Sequence, residues 1–442
     1  MSLLETSLGC AMQALKQALK TIMSHKLSTG IFWLGSAQVL GRIVRLGSSI
    51  IIARLLTPEI FGQVAIILTC FELIHTPTKR ISSAMLIAIP DSEFNTSQRS
   101  ANQLNWIACV GAFLLMAILS VPIANYYQQS ELILPMMVMA SSYLLLPLGM
   151  LHAAKNLKEN NMRVVGSAVL WQTIFDSLLT GTLALLGLGI WAIIIPKVLV
   201  VLIWVAIHRR ATVINYPTQS ARALGRLSTP GIQVGLADLS IAMRQNIDYL
   251  LVGYLLGVEA LGVYFFAFNA SLGISLGLVQ SYGTALYSNL CEAPADKRSE
   301  QYVSSLKLIF MIALPIIGLQ AVLAPLYVPF IYGSQWVDAG ALPIFILLCL
   351  SGLFRPLGEA TSQLLISMGR SKLNLIYNLG FTAALTIAIV IASYFGLLMI
   401  ALAILLLHLI AMPLFSFYIY QTLQPTRANR VKKSPREAHY EY

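Results

Sequence analysis

The residues of most chemical consequence in this 442-residue chain are charged groups set inside long apolar stretches: Arg42, Arg45, Lys197, Arg244 and Arg355, with Glu72, Asp176, Asp238, Asp248 and Glu359. In a bilayer, a central Arg costs about 2.5–3.5 kcal/mol, whereas each Leu or Ile returns only about 0.3–0.6 kcal/mol. Such charges must face protein or water. Gln38, Arg42, Arg45 and Ser49 follow i, i+4, i+7, i+11 spacing and so form one polar stripe on a helix. No carboxylate shares that stripe, and a guanidinium fork suits bidentate contact with phosphate oxygens. Two readings stand for Arg42 and Arg45: contact with an anionic, phosphate-bearing substrate, or an ion pair to Asp176 or Glu72 on another helix.

Arg244 and Asp248 are four residues apart, as are Arg355 and Glu359, so each couple is spaced to pair on one helix face. Pairing lowers the cost of holding charge in low dielectric and is often structural. Arg244 and Arg355 are also candidates for substrate contact, and Pro356 and Gly358 are placed to break the helix beside Arg355 and open backbone groups. Glu72, His75, Thr76 and Lys79 share one face, and Gln172, Asp176 and Thr180 another. Either stripe could carry a coupling proton or bind sugar hydroxyls, and mutual neutralisation of acids and bases, Asp238 and Lys197 included, explains them equally well. Five cysteines stand singly without C-x-x-C, so they read as packing residues rather than a disulfide framework or zinc site. No catalytic group, metal or cofactor is expected, and without G-x-x-x-x-G-K-[ST] neither is direct ATP coupling.

The elements that must hold these residues are membrane spans. The chain is 57% hydrophobic and 11% charged, against about 25% charged in soluble domains. Its apolar runs, such as 107–123 and 381–410, exceed what a buried core helix needs. The expected architecture is all-α, with twelve transmembrane helices at 30–54, 60–78, 102–124, 132–152, 164–186, 190–208, 229–252, 260–283, 305–328, 341–365, 374–395 and 397–420. The net charge of +11 does not point to nucleic acid, because most of the 29 basic residues fall in the segments on the N-terminal side of the membrane. The positive-inside rule then places both termini in the cytoplasm. Residues 1–29 read as an amphipathic leader, lying on the membrane or flexible, and 421–442 as a basic cytoplasmic tail. Trp106, Tyr126, Tyr127 and Trp336 read as interfacial belt residues. No loop exceeds roughly 30 residues, too short for a separate catalytic domain.

An internal repeat supports two halves. Leu55-Leu56-x-x-Glu59-x-x-Gly62 recurs as Leu255-Leu256-x-x-Glu259-x-x-Gly262, and Pro147-Leu148-Gly149 recurs as Pro356-Leu357-Gly358. Both echoes match span n with span n+6. Six spans per half is an even number, so the halves share orientation, as in transporters built from parallel repeats. The expected division is an N-terminal bundle at 30–208, a linker at 209–228 and a C-terminal bundle at 229–420.

Residues 36–65, SAQVLGRIVRLGSSIIIARLLTPEIFGQVA, resemble the opening of bacterial polysaccharide flippases of the PST (Wzx-like) family in the multidrug/oligosaccharidyl-lipid/polysaccharide (MOP) superfamily. Arg244, Asp248, Leu251, Gly253, Gly257, Gly262 and Tyr264 resemble the start of that family's second half. The resemblance implies two six-helix bundles around a cavity. It also implies movement of polyprenyl-pyrophosphate-linked oligosaccharide repeat units from the cytoplasmic to the periplasmic leaflet of the inner membrane, for O-antigen, capsule or exopolysaccharide synthesis. The implied partners are that lipid-linked oligosaccharide, membrane lipids and polymerase or chain-length machinery, with a monomeric protein and no nucleic acid. A cation-coupled multidrug exporter of the same superfamily is the alternative, against which the acid-free Arg42/Arg45 stripe argues. A membrane-embedded glycan polymerase or ligase is the alternative of another class, and the short outer loops argue against it.

Overall fold

The computed structural model describes residues 40–41, 44–79, 81–89, 91–214, 224–294 and 297–423. Gln38, Arg42, the leader, the middle of the linker and the tail beyond residue 423 lie outside these. The described residues are helical, with no strand among them. The helices are α1 (44–55), α2 (Pro58–Lys79), α3 (Ser83–Ala88), α4 (Asp91–Tyr126), α5 (Ile133–Leu145), α6 (Pro147–Lys158), α7 (Met162–Leu185) and α8 (Trp191–Ala211). They continue as α9 (Leu224–Leu256), α10 (Val258–Glu292), α11 (Arg298–Tyr332), α12 (Gln335–Asp338), α13 (Ala341–Ser351), α14 (Arg355–Ser367), α15 (Ser371–Ser393) and α16 (Leu397–Leu423).

Among the described residues, eight helices are long and apolar enough to cross a membrane, or ten if two bent pairs each count as one span. With α1 and the 33-residue α9, these occupy the twelve expected positions. Large apolar side chains such as Ile118, 68% exposed, and Leu326, 71% exposed, face outward, as a lipid solvent permits. Within the first unit Lys79, Lys155, Lys158, Arg209 and Arg210 lie at helix ends, and within the second Arg298, Arg370 and Lys372 do. The opposite turns, 127–132, 186–190, 333–340 and 394–396, contain no Lys or Arg.

The chain divides into two compact units, Met1–Asn246 and Ile247–Tyr442. In the first, α7 packs on α8, α5 on α4 and α8, and α2 on α4. In the second, α15 packs on α16, α13 on α11 and α16, and α10 on α11. This is the same scheme six spans later. The repeated Leu-Leu-x-x-Glu segments fold alike: Phe61 N–H donates to Thr57 O and Leu261 N–H to Gly257 O, both at 3.1 Å. Glu59 and Glu259 occupy first helical turns, where carboxylates complement the positive helix end. Gly257, at φ +90°, makes the turn between α9 and α10.

The Pro-Leu-Gly echoes follow interruptions of two spans, a bend in the first unit and a local turn in the second. The segment Ser130–Leu145 meets Pro147–Lys158 at 50°, while Gly352–Phe354 separate α13 from α14. Proline lacks the N–H and clashes with the preceding turn, so it restarts a helix at its first positions. In each unit the echo glycine then lies under the helix two spans on. A Cβ on Gly149 would stand 2.7 Å from the Trp204 ring of α8, and one on Gly358 3.1 Å from Met412 of α16. A second bend, 48°, lies between Val258–Gly273 and Ser275–Glu292; just before it Gln320 Nε2 donates to Ser271 O at 3.0 Å and Ala270 O at 3.4 Å.

Two expectations fail here. Trp336 is not at an interface but fully buried, its ring stacked on Phe266 at 3.8 Å, because α12 folds it inward. Cys291 is exposed rather than packed, whereas Cys109 and Cys349 are buried.

Candidate functional site

In the first unit, α1 crosses α7 closely. Gly41 approaches Thr173, and Ile51 approaches Gly181, small residues letting the two backbones near one another. Between these crossings Arg45 is exposed, and Ser49, one turn on, donates its hydroxyl to Leu46 O at 2.8 Å. Among the described residues Arg45 has no ion pair. Neither acid considered as its partner reaches it. Asp176 Oδ2 lies 2.5 Å from Lys197 Nζ on α8, joining two residues the sequence left in separate lists. Glu72 Oε1 instead accepts from Thr76 Oγ1 at 3.2 Å. Its neighbour His75 is held in an aromatic stack, 5.4 Å from the Phe71 ring, while Phe71 stacks on Tyr143 at 4.7 Å. The Tyr143 hydroxyl donates to Phe71 O at 2.7 Å. Of the stripe Glu72, His75, Thr76 and Lys79, the structure thus keeps Glu72 and Lys79 exposed and makes His75 a packing residue. Asp238 and Arg244, on α9, are half-buried.

In the second unit, Asp248 is buried at 7% exposure. The sequence pairs it with Arg244, but its Oδ2 accepts from the Tyr264 hydroxyl at 2.8 Å and its Oδ1 from the Tyr249 N–H at 3.0 Å. Arg355 is close enough for its charge to act on Asp248, and its guanidinium lies 5.5 Å from the Phe268 ring centroid, a cation–π distance. Tyr249 packs edge-on against Phe268 at 5.2 Å, with Asn269 Nδ2 donating to its hydroxyl at 3.4 Å. The expected Arg355–Glu359 pair does not form. Glu359 Oε1 accepts from Gln363 Nε2 at 2.7 Å and presses on Gly283, because Arg355, first residue after the helix break, turns toward α10.

Sequence reasoning did not assign Tyr264, Gln320 or Tyr143 a role. Tyr264 had a signal in its fixed place in the Arg244–Tyr264 motif; the other two bond to backbone carbonyls on neighbouring helices, which no local pattern reveals. Among the described residues no His, Cys, Asp and Glu cluster could hold a metal ion.

A chain of repeated apolar helices long enough to cross a membrane is a multi-pass membrane fold. Its three-dimensional likeness is to the MOP superfamily. Lipid II flippase MurJ in an inward closed conformation matches 88% of this chain and 89% of its own, with TM-score 0.73 and 14% identity. An inward-facing multidrug resistance MATE family transporter matches 89% and 96%, with TM-score 0.68 and 14% identity. Residues 51–341 match the family described as Polysaccharide biosynthesis protein, and the chain belongs to that family. Among curated relatives, the teichuronic acid biosynthesis protein TuaB of Bacillus subtilis (strain 168) is 22% identical over 298 residues, 65% of this chain and 60% of TuaB. The lipopolysaccharide biosynthesis protein WzxC of Escherichia coli (strain K12) is 23% identical over 414 residues, 88% of this chain and 80% of WzxC. The match thus spans about three-fifths of TuaB and four-fifths of WzxC. The relatives are named for polysaccharide biosynthesis, and the structural neighbours for lipid II flipping and multidrug resistance.

Proposed function

We propose that the protein is a flippase carrying polyprenyl-pyrophosphate-linked oligosaccharide repeat units from the cytoplasmic to the periplasmic leaflet of a bacterial inner membrane, by alternating access. The observation that carries this reading is Arg45: exposed on a helix of a membrane protein, it lacks an ion pair among the described residues, while Asp176, Asp248 and Glu359 are engaged elsewhere. A guanidinium left exposed within a span is costly unless a ligand or water meets it. With Arg42 three residues before it, Arg45 supplies a two-pronged site for pyrophosphate oxygens, and Gln38 and Arg244 offer further polar contacts. Arg355, held beside Asp248, sets the polarity of the second half. The halves at 30–208 and 229–420, joined by the 209–228 linker, provide the two moving bodies, and both termini are cytoplasmic. The protein works as a monomer beside a polymerase and chain-length machinery.

The test is export of surface glycan in cells whose own flippase gene is deleted. Replacing Arg42 and Arg45 together with Gln is expected to abolish export while the protein remains folded and inserted. Replacement with Lys restores it only in part, because a point charge cannot make a bidentate contact. Normal surface glycan from the Gln variant at native expression rejects the assignment.

A further inference from the structure

A groove of about 280 Å³ lies between α15 and α16 in the second unit. Ile376, Tyr377, Gly380 and Ala384 line it from α15, and Ala411 and Phe415 from α16. Its walls are apolar and it opens on the outer surface, beside Ile376, 65% exposed. In a membrane protein, lipid chains bathe that surface. Three features distinguish this groove from an ordinary lipid-facing seam.

The first is the charge at its mouth. The stripe that lines the groove begins at Leu373, and Arg370 and Lys372, both exposed, stand immediately before it at the basic membrane face. Lys372 lies four residues before Ile376 and so extends the groove-lining face, while Arg370 is the residue just before the helix begins. An occupant that complements this arrangement has an anionic head and an apolar tail. The second is the aromatic pair that bounds it: Tyr377 and Phe415 stack on each other at 3.5 Å and 4°, leaving only ring edges and outer faces for an occupant. The third is the spacing of small residues. Gly380 and Ala384 are one turn apart, about 6 Å along the axis, and a Cβ at Gly380 would meet nothing within 4 Å. These notches admit a methyl branch at an interval comparable with the four-carbon repeat of an isoprenoid, which an unbranched acyl chain does not need.

We propose that this groove is the docking site for the isoprenoid chain of a polyprenyl pyrophosphate, with the pyrophosphate at Arg370 and Lys372. The inference rests on the substrate class proposed above and adds where the carrier first engages the protein. It assigns the tail a protein partner at the cytoplasmic face, distinct from the Arg42/Arg45 site that receives the head group later.

The experiment uses the full-length protein in lipid nanodiscs and native mass spectrometry, with undecaprenyl pyrophosphate and phosphatidylglycerol as probes. Gly380→Leu with Ala384→Leu fills the groove; neither change meets a strained backbone, and Leu is the better helix former at the glycine. The filled variant is expected to lose undecaprenyl pyrophosphate affinity about tenfold while binding phosphatidylglycerol as before. Arg370→Gln with Lys372→Gln, which leaves the helix interior untouched, is expected to weaken undecaprenyl pyrophosphate by a similar factor but not undecaprenol. Equal loss of both lipids in the filled variant makes the groove a phospholipid seam and overturns the proposal. Unchanged undecaprenyl pyrophosphate binding in both variants overturns it too, while the substrate class stands. Failure of the unaltered protein to bind undecaprenyl pyrophosphate at all rejects the substrate class, and this site with it.

Discussion

The hydroxyl of Tyr264 donates a hydrogen bond of 2.8 Å to the buried carboxylate of Asp248, joining the last turns of α9 to the first turns of α10 across Gly257. The chain reverses at Gly257, at φ +90°, so residues nine before and seven after it come side by side on antiparallel helices. This explains why Asp248, Gly257 and Tyr264 stand at those positions in one motif: the aspartate needs a donor, and the turn delivers it. The charge of Arg355 further offsets the cost of holding a carboxylate there.

Removing that donor tests the bond directly. Tyr264→Phe leaves the carboxylate short of one partner in a buried site, a loss of about 1–3 kcal/mol. Thermal unfolding in detergent is expected to fall accordingly, and Asp248→Asn, which no longer holds a charge, to lose less when combined with Tyr264→Phe than the separate losses summed. An unaltered melting temperature for Tyr264→Phe shows that the bond is not holding the two helices together.

The Asp176–Lys197 pair is half-buried, with the lysine side chain 35% and the aspartate 14% exposed. Its worth therefore lies between the ~1 kcal/mol of a surface pair and the ~3–5 kcal/mol lost when a buried pair is broken. Lys197→Met alone is expected to lower stability by leaving Asp176 without its partner, and the exchange Asp176→Lys with Lys197→Asp to recover most of it. If the exchange is no better than the single change, the two residues act separately.

An echo glycine and an unpacked one give a comparison within one protein. Gly149→Ala drives a methyl into the Trp204 ring and is expected to cost about 1–3 kcal/mol, as overpacking does. Gly111→Ala, where a Cβ meets nothing within 4 Å, is expected to stabilise its helix by about 0.5–1 kcal/mol. Equal effects on solubilised-protein melting count against close packing of the broken span.

Topology is read with reporter fusions. Fusions after residue 218, within the linker, and at both termini are expected to report the cytoplasm, and fusions in the turns at 187 and 335 the opposite side. A periplasmic signal from the linker contradicts the order of the spans.

The sequence by itself determined the spans, their order, the basic face and the repeat. Each of these depends on hydropathy and charge summed over neighbouring residues, and the bilayer reads those sums one helix at a time. It also located the interruption at Pro356, which acts on its own backbone, whereas the 50° bend before Pro147 appeared only in the structure. It did not determine which charge meets which. Arg244 and Asp248, or Arg355 and Glu359, share a helix face by spacing, yet Asp248 bonds to Tyr264, Glu359 to Gln363 and Asp176 to Lys197. Those choices depend on the rotation of each helix against its neighbours, and a turn of about 100° per residue is enough to exchange one partner for another. The tertiary structure alone decided them, and with them the exposure of Arg45 and the notched groove between α15 and α16, because both arise where side chains from separate helices do or do not meet.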